Sequence, residues 1–198
     1  MLSIKLPVPT RNRLYLAETV NFCYPYLYNI DSFQVMNCTI YKSMLQLIKS
    51  LVMPDIKTYI SGSYEIKTNE KGVFSLSLIG LGDFKGAHPM TIINSLSFDT
   101  ETGKNYKLSE LFKPNSNYIK VLSEKVLVQL KAQDLPLFDE YPGIKPDQDY
   151  YIADKSLVIY FQLYEVAPYY VGFPYAIIPI YEIQDMIVEN GLLSKMLS

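Results

Sequence analysis

The stretch IYFQLYEVAPYYVGFPYAIIPI, residues 159–180, decides how the C-terminal part of the chain folds. It holds five tyrosines and two phenylalanines, but only one acidic and no basic residue. Residues 157–164 are almost continuously apolar, which is typical of a central strand that is buried on both faces. Pro168 fixes φ and lacks a backbone donor, and Gly172 lets the chain turn back, so residues 165–174 are predicted to bend into the next strand.

A bend of this composition cannot bury all of its aromatic side chains. Tyr169, Tyr170, Phe173 and Tyr175 follow one another too closely to point into one core, so some of them are predicted to stand at the rim. Tyrosine combines an apolar ring with a polar tip, and a rigid aromatic side chain at a rim is a good anchor for a sugar face or a protein cleft. The alternative interpretation is that these side chains only close the edge of the sheet.

Length and composition exclude several classes of protein. A chain of 198 residues with 49% hydrophobic and 19% charged residues can bury a core of its own without a metal or a disulfide. The formal net charge of −2 offers no basic footprint for nucleic acid. No run approaches the ~20 apolar residues of a membrane span, and the N-terminal residues lack the apolar region of a signal peptide.

The cysteines and the only histidine do not form a metal-binding pattern. Cys23 and Cys38 have no second pair of ligands nearby, whereas a zinc site needs four. They are interpreted as two buried free thiols, with a disulfide as the alternative for an exported protein. No metal and no cofactor is predicted.

Periodicity predicts antiparallel hairpins interleaved with helices, and therefore an α+β fold with the helices on one face. In residues 73–83, Phe74, Leu76 and Leu78 alternate with Ser75 and Ser77, which predicts a sheet with one solvated face. The predicted strands are 13–24, 56–67, 73–83, 91–98, 150–153 and 157–164. The predicted helices are 35–52, 116–133 and 180–191, with a short helical turn at 109–112 and a surface loop at 134–148.

Catalytic motifs are absent from the sequence. Residues 80–86 have the spacing GxGxxxG, and a strand rather than a helix is predicted to follow, so a phosphate would lack a helix N-terminus. His88 is predicted to be a hydrogen-bonding residue of the tight turn 86–89. Ligand contact and general-base catalysis are the alternatives for His88, although nothing around it marks a nucleophile.

Three segments resemble one bacterial family. They are FKGAHP (84–89), FDTETGK (98–104) leading to LSELF (108–112), and residues 157–179 with the sequence YEVAPY and Gly172. In this order and spacing they resemble the domain-of-unknown-function family typified by the extracellular, lysozyme-binding C-terminal half of the RsiV anti-sigma factor. Tyr24-Pro25, followed by a helix near Asn37, is similar to the companion module that precedes this domain. The same pair of modules accompanies the catalytic region of some peptidoglycan deacetylases.

The resemblance implies a curved antiparallel sheet with two or three helices packed mainly on one face. It also implies a companion module at 1–85 and an RsiV-like module at 86–198, together forming one compact unit. The implied role is a non-catalytic binding module outside the cytoplasm, in the cell envelope, that recognises a lysozyme-like muramidase or a cell-wall glycan. A sigma-binding segment, a membrane anchor and the metal ligands of a deacetylase are all missing from the sequence, so those functions are not transferred.

The residues predicted to contact the ligand belong to the bend and to the loop after residue 83. Lys85 stands where many relatives carry a second glycine. The alternatives to a binding module are a hydrolase or deacetylase-type enzyme that uses His88 with a carboxylate, and a cytoplasmic protein with the same fold. The predicted ligand-binding residues are Lys85, His88, Tyr164, Glu165, Pro168, Tyr169, Tyr170, Gly172 and Phe173.

Overall fold

The computed structural model describes residues 7–86, 88–138 and 141–197, and the chain divides into two compact units at the boundary between Asn105 and Tyr106. The first unit contains a five-stranded sheet in the order β1-β2-β3-β4-β5. Neighbouring strands are antiparallel except β2 and β3, which pair in parallel over a short stretch. The elements are β1 (Thr10–Ala17), β2 (Val20–Leu27), α1 (Phe33–Leu51), β3 (Tyr59–Glu70), β4 (Val73–Asp83) and β5 (Met90–Asp99).

Helix α1 forms because apolar residues recur every three or four positions, and its apolar face is buried against the sheet. The chain leaves the helix at Val52, which is extended (φ −73, ψ 122), ahead of Pro54. Asn37 lies inside the helix. Its side-chain amide binds the backbone of Leu27, at 2.9 Å from the Leu27 N–H and 2.8 Å to the Leu27 carbonyl.

Two glycines in the middle of the sheet let the core close. Gly62 on β3 lies opposite Gly80 on β4. A Cβ on Gly62 would lie 2.1 Å from the Phe22 ring, and a Cβ on Gly80 would lie 2.1 Å from the Leu47 side chain. Gly80, the first glycine of the GxGxxxG spacing, therefore lies within a strand and leaves room for the side chains of helix α1. This agrees with the exclusion of a nucleotide-binding loop.

The prediction of a solvated face on β4 is wrong. Phe74, Leu76 and Leu78 are buried as expected, but Ser75 and Ser77 are 0% and 1% exposed. Ser75 is hydrogen-bonded to Ser97 at 2.9 Å and Ser77 to Ser95 at 2.8 Å, across β4 and β5. Because a serine pair satisfies its own hydroxyls, a polar alternation in the sequence is compatible with burial on both faces.

The N-terminal strand prediction is also wrong, since residues 13–24 are not one strand. They belong to the β1–β2 hairpin, which turns at Glu18 and Thr19. No glycine, proline or asparagine marks this turn, so the sequences of β1 and β2 look like one continuous strand. The hairpin between β3 and β4, by contrast, turns at Lys71 and Gly72, which have φ values of 53 and 78, and glycine adopts a positive φ without steric cost.

The second unit contains a three-stranded antiparallel sheet in the order β6-β7-β8. The predicted α+β class is confirmed, but the strands form two sheets rather than one, and the larger sheet is mixed. The elements are α2 (Tyr118–Ala132), β6 (Tyr150–Ala153), β7 (Ser156–Tyr160), β8 (Tyr175–Pro179) and α3 (Leu192–Lys195), with 3-10 turns at Leu108–Leu111, Tyr169–Val171 and Ile180–Ile183.

Helix α2 protects the edge of β8. Its apolar face, Leu122, Val126 and Leu130, is buried. On an adjacent face the Gln129 amide donates to the Ile177 carbonyl at 2.6 Å and accepts from the Ile177 N–H at 2.8 Å. This pair of hydrogen bonds continues the ladder where a further strand would otherwise add.

Two C-terminal predictions need correction. The central strand β7 ends at Tyr160 instead of continuing to Tyr164. The predicted helix 180–191 is a single 3-10 turn, Ile180–Ile183, followed by turns, and the short α3 begins only after Gly191. Near Ile187 the backbone pairs with another segment: Ile187 bridges Phe112, and the Val188 N–H donates to the Leu111 carbonyl at 3.0 Å.

The remaining whole-chain predictions concern modules, thiols and membrane spans. The module boundary at residue 85 stays a prediction, whereas the compact units divide after Asn105. Cys23 and Cys38 are free thiols, but Cys23 is only partly buried and Cys38 is exposed, so the prediction of two buried thiols is wrong for both. Within the described residues, no helix combines the length and the apolar character that crossing a membrane requires.

Candidate functional site

The 161–175 bend connects β7 to β8 and is closed at its neck. The Phe161 N–H donates to the Pro174 carbonyl at 2.9 Å. Halfway round, Val166 and Ala167 are 6% and 2% exposed, and the Val166 carbonyl accepts a hydrogen bond of 2.9 Å from the Phe138 N–H. The bend is therefore attached to the second unit at its neck and at its middle.

Three backbone conformations shape the bend between these attachments. Tyr164 has φ 63, Pro168 has φ −59, and Gly172 has φ 81 with ψ −133. The last combination is strained for any residue with a Cβ, although a Cβ at Gly172 would meet nothing within 4 Å. Glycine is thus required there by conformation and not by space.

Glu165 holds the bend from inside. Its side chain is 17% exposed, and Oε1 accepts hydrogen bonds from Lys145 Nζ at 2.7 Å and Gln148 Nε2 at 3.2 Å. Oε2 accepts the Gln162 backbone N–H at 2.8 Å. The hydrogen bond to Glu165, and then its charge, raise the pKa of Lys145. Glu165 is therefore a positioning residue of the bend.

A second carboxylate lies in the same network. Gln162 Nε2 donates to Asp149 Oδ2 at 2.7 Å, so Gln162 bridges Asp149 and Glu165. Burial raises the pKa of Asp149, and the negative charge of Glu165 adds to this effect. The folded chain therefore favours the protonated form of Asp149 more than the unfolded chain does.

The aromatic side chains of the bend divide into exposed and half-buried ones. Tyr170 is 77% exposed, and Tyr164 and Tyr175 are each 48% exposed, whereas Tyr169 and Phe173 are half-buried. The Tyr164 and Tyr169 rings lie 5.6 Å apart at an interplanar angle of 33°. The locked backbone therefore presents three tyrosines to solvent.

Lys85 and His88 belong to the first unit, whereas the other predicted ligand-binding residues belong to the second. Lys85 has φ 58, a backbone conformation that glycine adopts without steric cost. The Lys85 N–H donates to Asp83 Oδ1 at 2.7 Å, and Nζ lies 5.7 Å from the centre of the Tyr59 ring. His88 is exposed, and Ala87 of the predicted turn lies outside the described residues.

Candidate metal ligands do not cluster in the described part of the chain. Within 7–86, 88–138 and 141–197, no three His, Cys, Asp or Glu side chains come together to hold a metal ion. The sequence analysis missed Gln148 and Gln162, which the fold alone brings to Glu165. It also missed Arg11 and Arg13, although their spacing of two residues in a strand places both on one face.

A model of the family "Protein of unknown function (DUF3298)" matches residues 109–181. The anti-sigma-V factor RsiV of Bacillus subtilis (strain 168) is 41% identical over 93 residues, which cover 41% of this chain and 32% of that protein. The chain thus matches less than half of this curated relative. The family resemblance predicted from the sequence is confirmed by these two matches.

Two crystal structures share the fold. A DUF3298 family protein from Pseudomonas aeruginosa PAO1 superposes with a TM-score of 0.68 at 14% identity, covering 93% of this chain and 96% of that one. A DUF3298 family member from Bacteroides fragilis NCTC 9343 gives a TM-score of 0.66 at 14% identity, covering 98% of this chain and 97% of that one. Residues 109–181 therefore resemble the DUF3298 domain, within a chain whose fold both crystal structures share.

Proposed function

We propose that this chain is a non-catalytic recognition module of the bacterial envelope, and that the 161–175 bend binds a lysozyme-like muramidase. The observation that carries the proposal is the display of Tyr164, Tyr170 and Tyr175 on a backbone that Glu165 and Gly172 lock. Rigid exposed tyrosines give a large contact area at a low cost in conformational entropy.

Family membership supports the location and the class of partner. The matched relative is named an anti-sigma factor, and the resemblance to its extracellular half implies a domain that senses a protein outside the cytoplasm. The bend lies within residues 109–181, so the proposed surface belongs to the part of the chain that the family model matches. A cell-wall glycan stacked on the same tyrosines is the second ligand to test.

The test is calorimetric titration of the full chain with a c-type lysozyme, followed by soluble muropeptides. Tyr170→Ala should weaken binding of the recognised ligand at least about tenfold, because a truncated aromatic anchor costs ~2 kcal/mol. Its melting temperature should stay unchanged, since Tyr170 is 77% exposed. Tyr181→Ala is the matched control, because Tyr181 is 63% exposed and lies outside the bend.

Each outcome distinguishes the ligands. Heat with lysozyme that falls for Tyr170→Ala and persists for Tyr181→Ala supports the muramidase, and the same pattern with muropeptides alone identifies the glycan. Saturable binding that is equal in both variants would remove the bend from the proposal. The lack of a heat signal with both ligands would reject the recognition function.

A further inference from the structure

Both arginines of the chain lie on one face of the β1–β2 hairpin and rest on tyrosine rings. The register places Arg11 opposite Tyr26 and Arg13 opposite Tyr24. The Arg13 Cζ lies 3.5 Å from the centre of the Tyr26 ring, and the Arg11 Cζ lies 5.1 Å from Tyr26 and 5.6 Å from Tyr28. Stacking orients a guanidinium while it leaves the in-plane N–H donors accessible.

These two cations lack the carboxylate partners that several lysines have. Lys57 pairs with Glu18 at 2.8 Å and Lys125 pairs with Glu182 at 2.6 Å. Throughout the part of the chain that the structure describes, no carboxylate forms an ion pair with Arg11 or Arg13. Both side chains are exposed, so the hairpin carries two oriented positive charges that an anion can reach.

Beside Arg13 lies a recess of about 350 Å³ between the hairpin and helix α1, here called the Arg–Tyr recess. The Tyr24 and Tyr41 rings lie 5.9 Å apart at 51° and form one wall. Asn37 forms another wall and is held by both hydrogen bonds to Leu27. The recess is lined by Arg13, Tyr24, Tyr26, Asn37 and Tyr41.

The tyrosine hydroxyls around Arg13 are not used by the fold. Among the described residues, the hydroxyls of Tyr24, Tyr26 and Tyr41 have no hydrogen-bond partner. A hydroxyl group can donate one hydrogen bond and accept two. The recess thus combines a guanidinium fork, aromatic ring faces and several hydroxyls without a partner in the protein, at a volume near the lower end for ligand pockets.

We propose that the Arg–Tyr recess binds a small hydroxylated anion, such as a sugar acid or a sugar phosphate. The carboxylate or phosphate pairs with the Arg13 guanidinium, because its planar fork matches two oxygen atoms of either group. The sugar ring lies against Tyr24 and Tyr41, and its hydroxyls hydrogen-bond to the tyrosine hydroxyls. This site lies in the first unit and does not depend on the function proposed for the bend.

Calorimetric titration of the full chain with glucuronate, glucose 6-phosphate and glucose tests the proposal. We expect saturable binding of at least one of the two anions and none of neutral glucose. Binding of glucuronate alone identifies the carboxylate as the ligand group, and binding of glucose 6-phosphate alone identifies the phosphate. The affinity should fall as sodium chloride is added, because salt screens an exposed ionic contact.

Two variants at Arg13 separate recognition from folding. Arg13→Lys keeps a cation above Tyr26 but loses the fork, so binding should weaken about tenfold without a loss of fold. Arg13→Gln should abolish measurable binding. Lys49→Gln is the matched control, because it removes one positive charge from the exposed end of α1 and should leave binding unchanged.

Three results would overturn the proposal. The first is no binding of either anion to the intact chain. The second is binding of glucose as tight as that of the anions, which would mean that the guanidinium is not used. The third is equal weakening by Lys49→Gln and Arg13→Gln, which would attribute the effect to net charge. Circular dichroism of each variant verifies that the fold is retained.

Discussion

The β1–β2 hairpin and the 161–175 bend are both rich in tyrosine, yet they arrange it by different means. In the hairpin, Tyr24, Tyr26 and Tyr28 are two residues apart along one arm, so the period of a strand places them on one face. In the bend, the positive φ of Tyr164 and Gly172 decides where the rings point. Regular spacing therefore predicts a tyrosine surface in a strand, whereas in a bend the backbone dihedrals have to be known.

The two surfaces also differ in what holds them. The hairpin is fixed by a continuous antiparallel register from Thr10↔Leu27 to Ala17↔Val20. The bend depends on one carboxylate, Glu165, that accepts hydrogen bonds from Lys145, Gln148 and Gln162. A single substitution should therefore disturb the bend far more than it disturbs the hairpin.

The largest expected effect is that of Glu165→Ala. It removes the acceptor of the Gln162 N–H and one of the two acceptors of the Gln148 amide, which is 4% exposed, so the free energy of unfolding should fall by roughly 2–3 kcal/mol. Denaturant unfolding measures the loss. Binding of the ligand by the bend should weaken in parallel, because the tyrosines lose their fixed positions.

Glu182→Ala is the control for a simple loss of negative charge. Glu182 accepts a hydrogen bond from Lys125 at 2.6 Å at the surface of the same unit, and its removal should change the stability little. If Glu165→Ala were as mild as Glu182→Ala, the bend would be held by its buried apolar residues and not by the carboxylate.

An intermediate effect is expected for the ring contacts of the two surfaces. A double-mutant cycle with Arg13→Gln and Tyr26→Leu should give a coupling energy of ~0.5–1 kcal/mol, because the guanidinium lies 3.5 Å from the ring centre. The same cycle with Tyr164→Leu and Tyr169→Leu should give a smaller value, since those two rings, 5.6 Å apart, interact without a formal charge. Urea unfolding of the single and double variants measures both couplings. A larger value for the tyrosine pair would reverse the comparison.

The smallest effect is a pH-dependent gain from Asp149→Asn. Because burial raises the pKa of Asp149, its contribution to stability is present below the pKa of the unfolded carboxyl and is lost as the pH rises through the folded pKa. At neutral pH the variant should therefore be more stable than the natural chain, by less than ~1 kcal/mol. At acidic pH, where Asp149 is neutral, the gain should vanish.

Asp147→Asn provides a control of opposite sign two residues away. The hydrogen bond from Ser109, 2.6 Å from the Ser109 hydroxyl to Asp147 Oδ1, lowers the pKa of Asp147. The contribution of Asp147 to stability is present above the pKa that its carboxyl has in the unfolded chain, and it is lost as the pH falls through the pKa of the folded chain. This variant should lose stability at neutral pH. Thermal melts of both variants over a range of pH test the two predicted changes in stability. A gain in stability for Asp147→Asn at neutral pH would contradict the prediction.

Local patterns predicted much of the fold. The 3.6-residue period predicts α1 and α2, because each helix buries one apolar stripe. The sequence around Gly72 predicts the β3–β4 hairpin, since two positive φ values need residues that tolerate them. Pro168 and Gly172 locate the bend, because one residue fixes φ and the other reaches a conformation closed to side chains.

The incorrect predictions concern sequence patterns that are compatible with two different tertiary arrangements. Ser75 and Ser77 alternate as a solvated face would, but pairing with Ser97 and Ser95 makes them suitable for burial. Residues 180–191 carry helical spacing, yet the backbone around Ile187 pairs with the segment at Phe112. In both cases the deciding partner is distant in sequence.

The sequence by itself determined the α+β class, the principal helices and the position of an aromatic bend, since these follow from periodicity and from the conformational limits of proline and glycine. Tertiary structure alone decided that Glu165 anchors the bend and that Arg13 stands beside Tyr26, Tyr41 and Asn37. The physical reason is that hydrogen bonds and guanidinium stacking act over a few ångströms between residues far apart in the chain. Only folding brings such partners together.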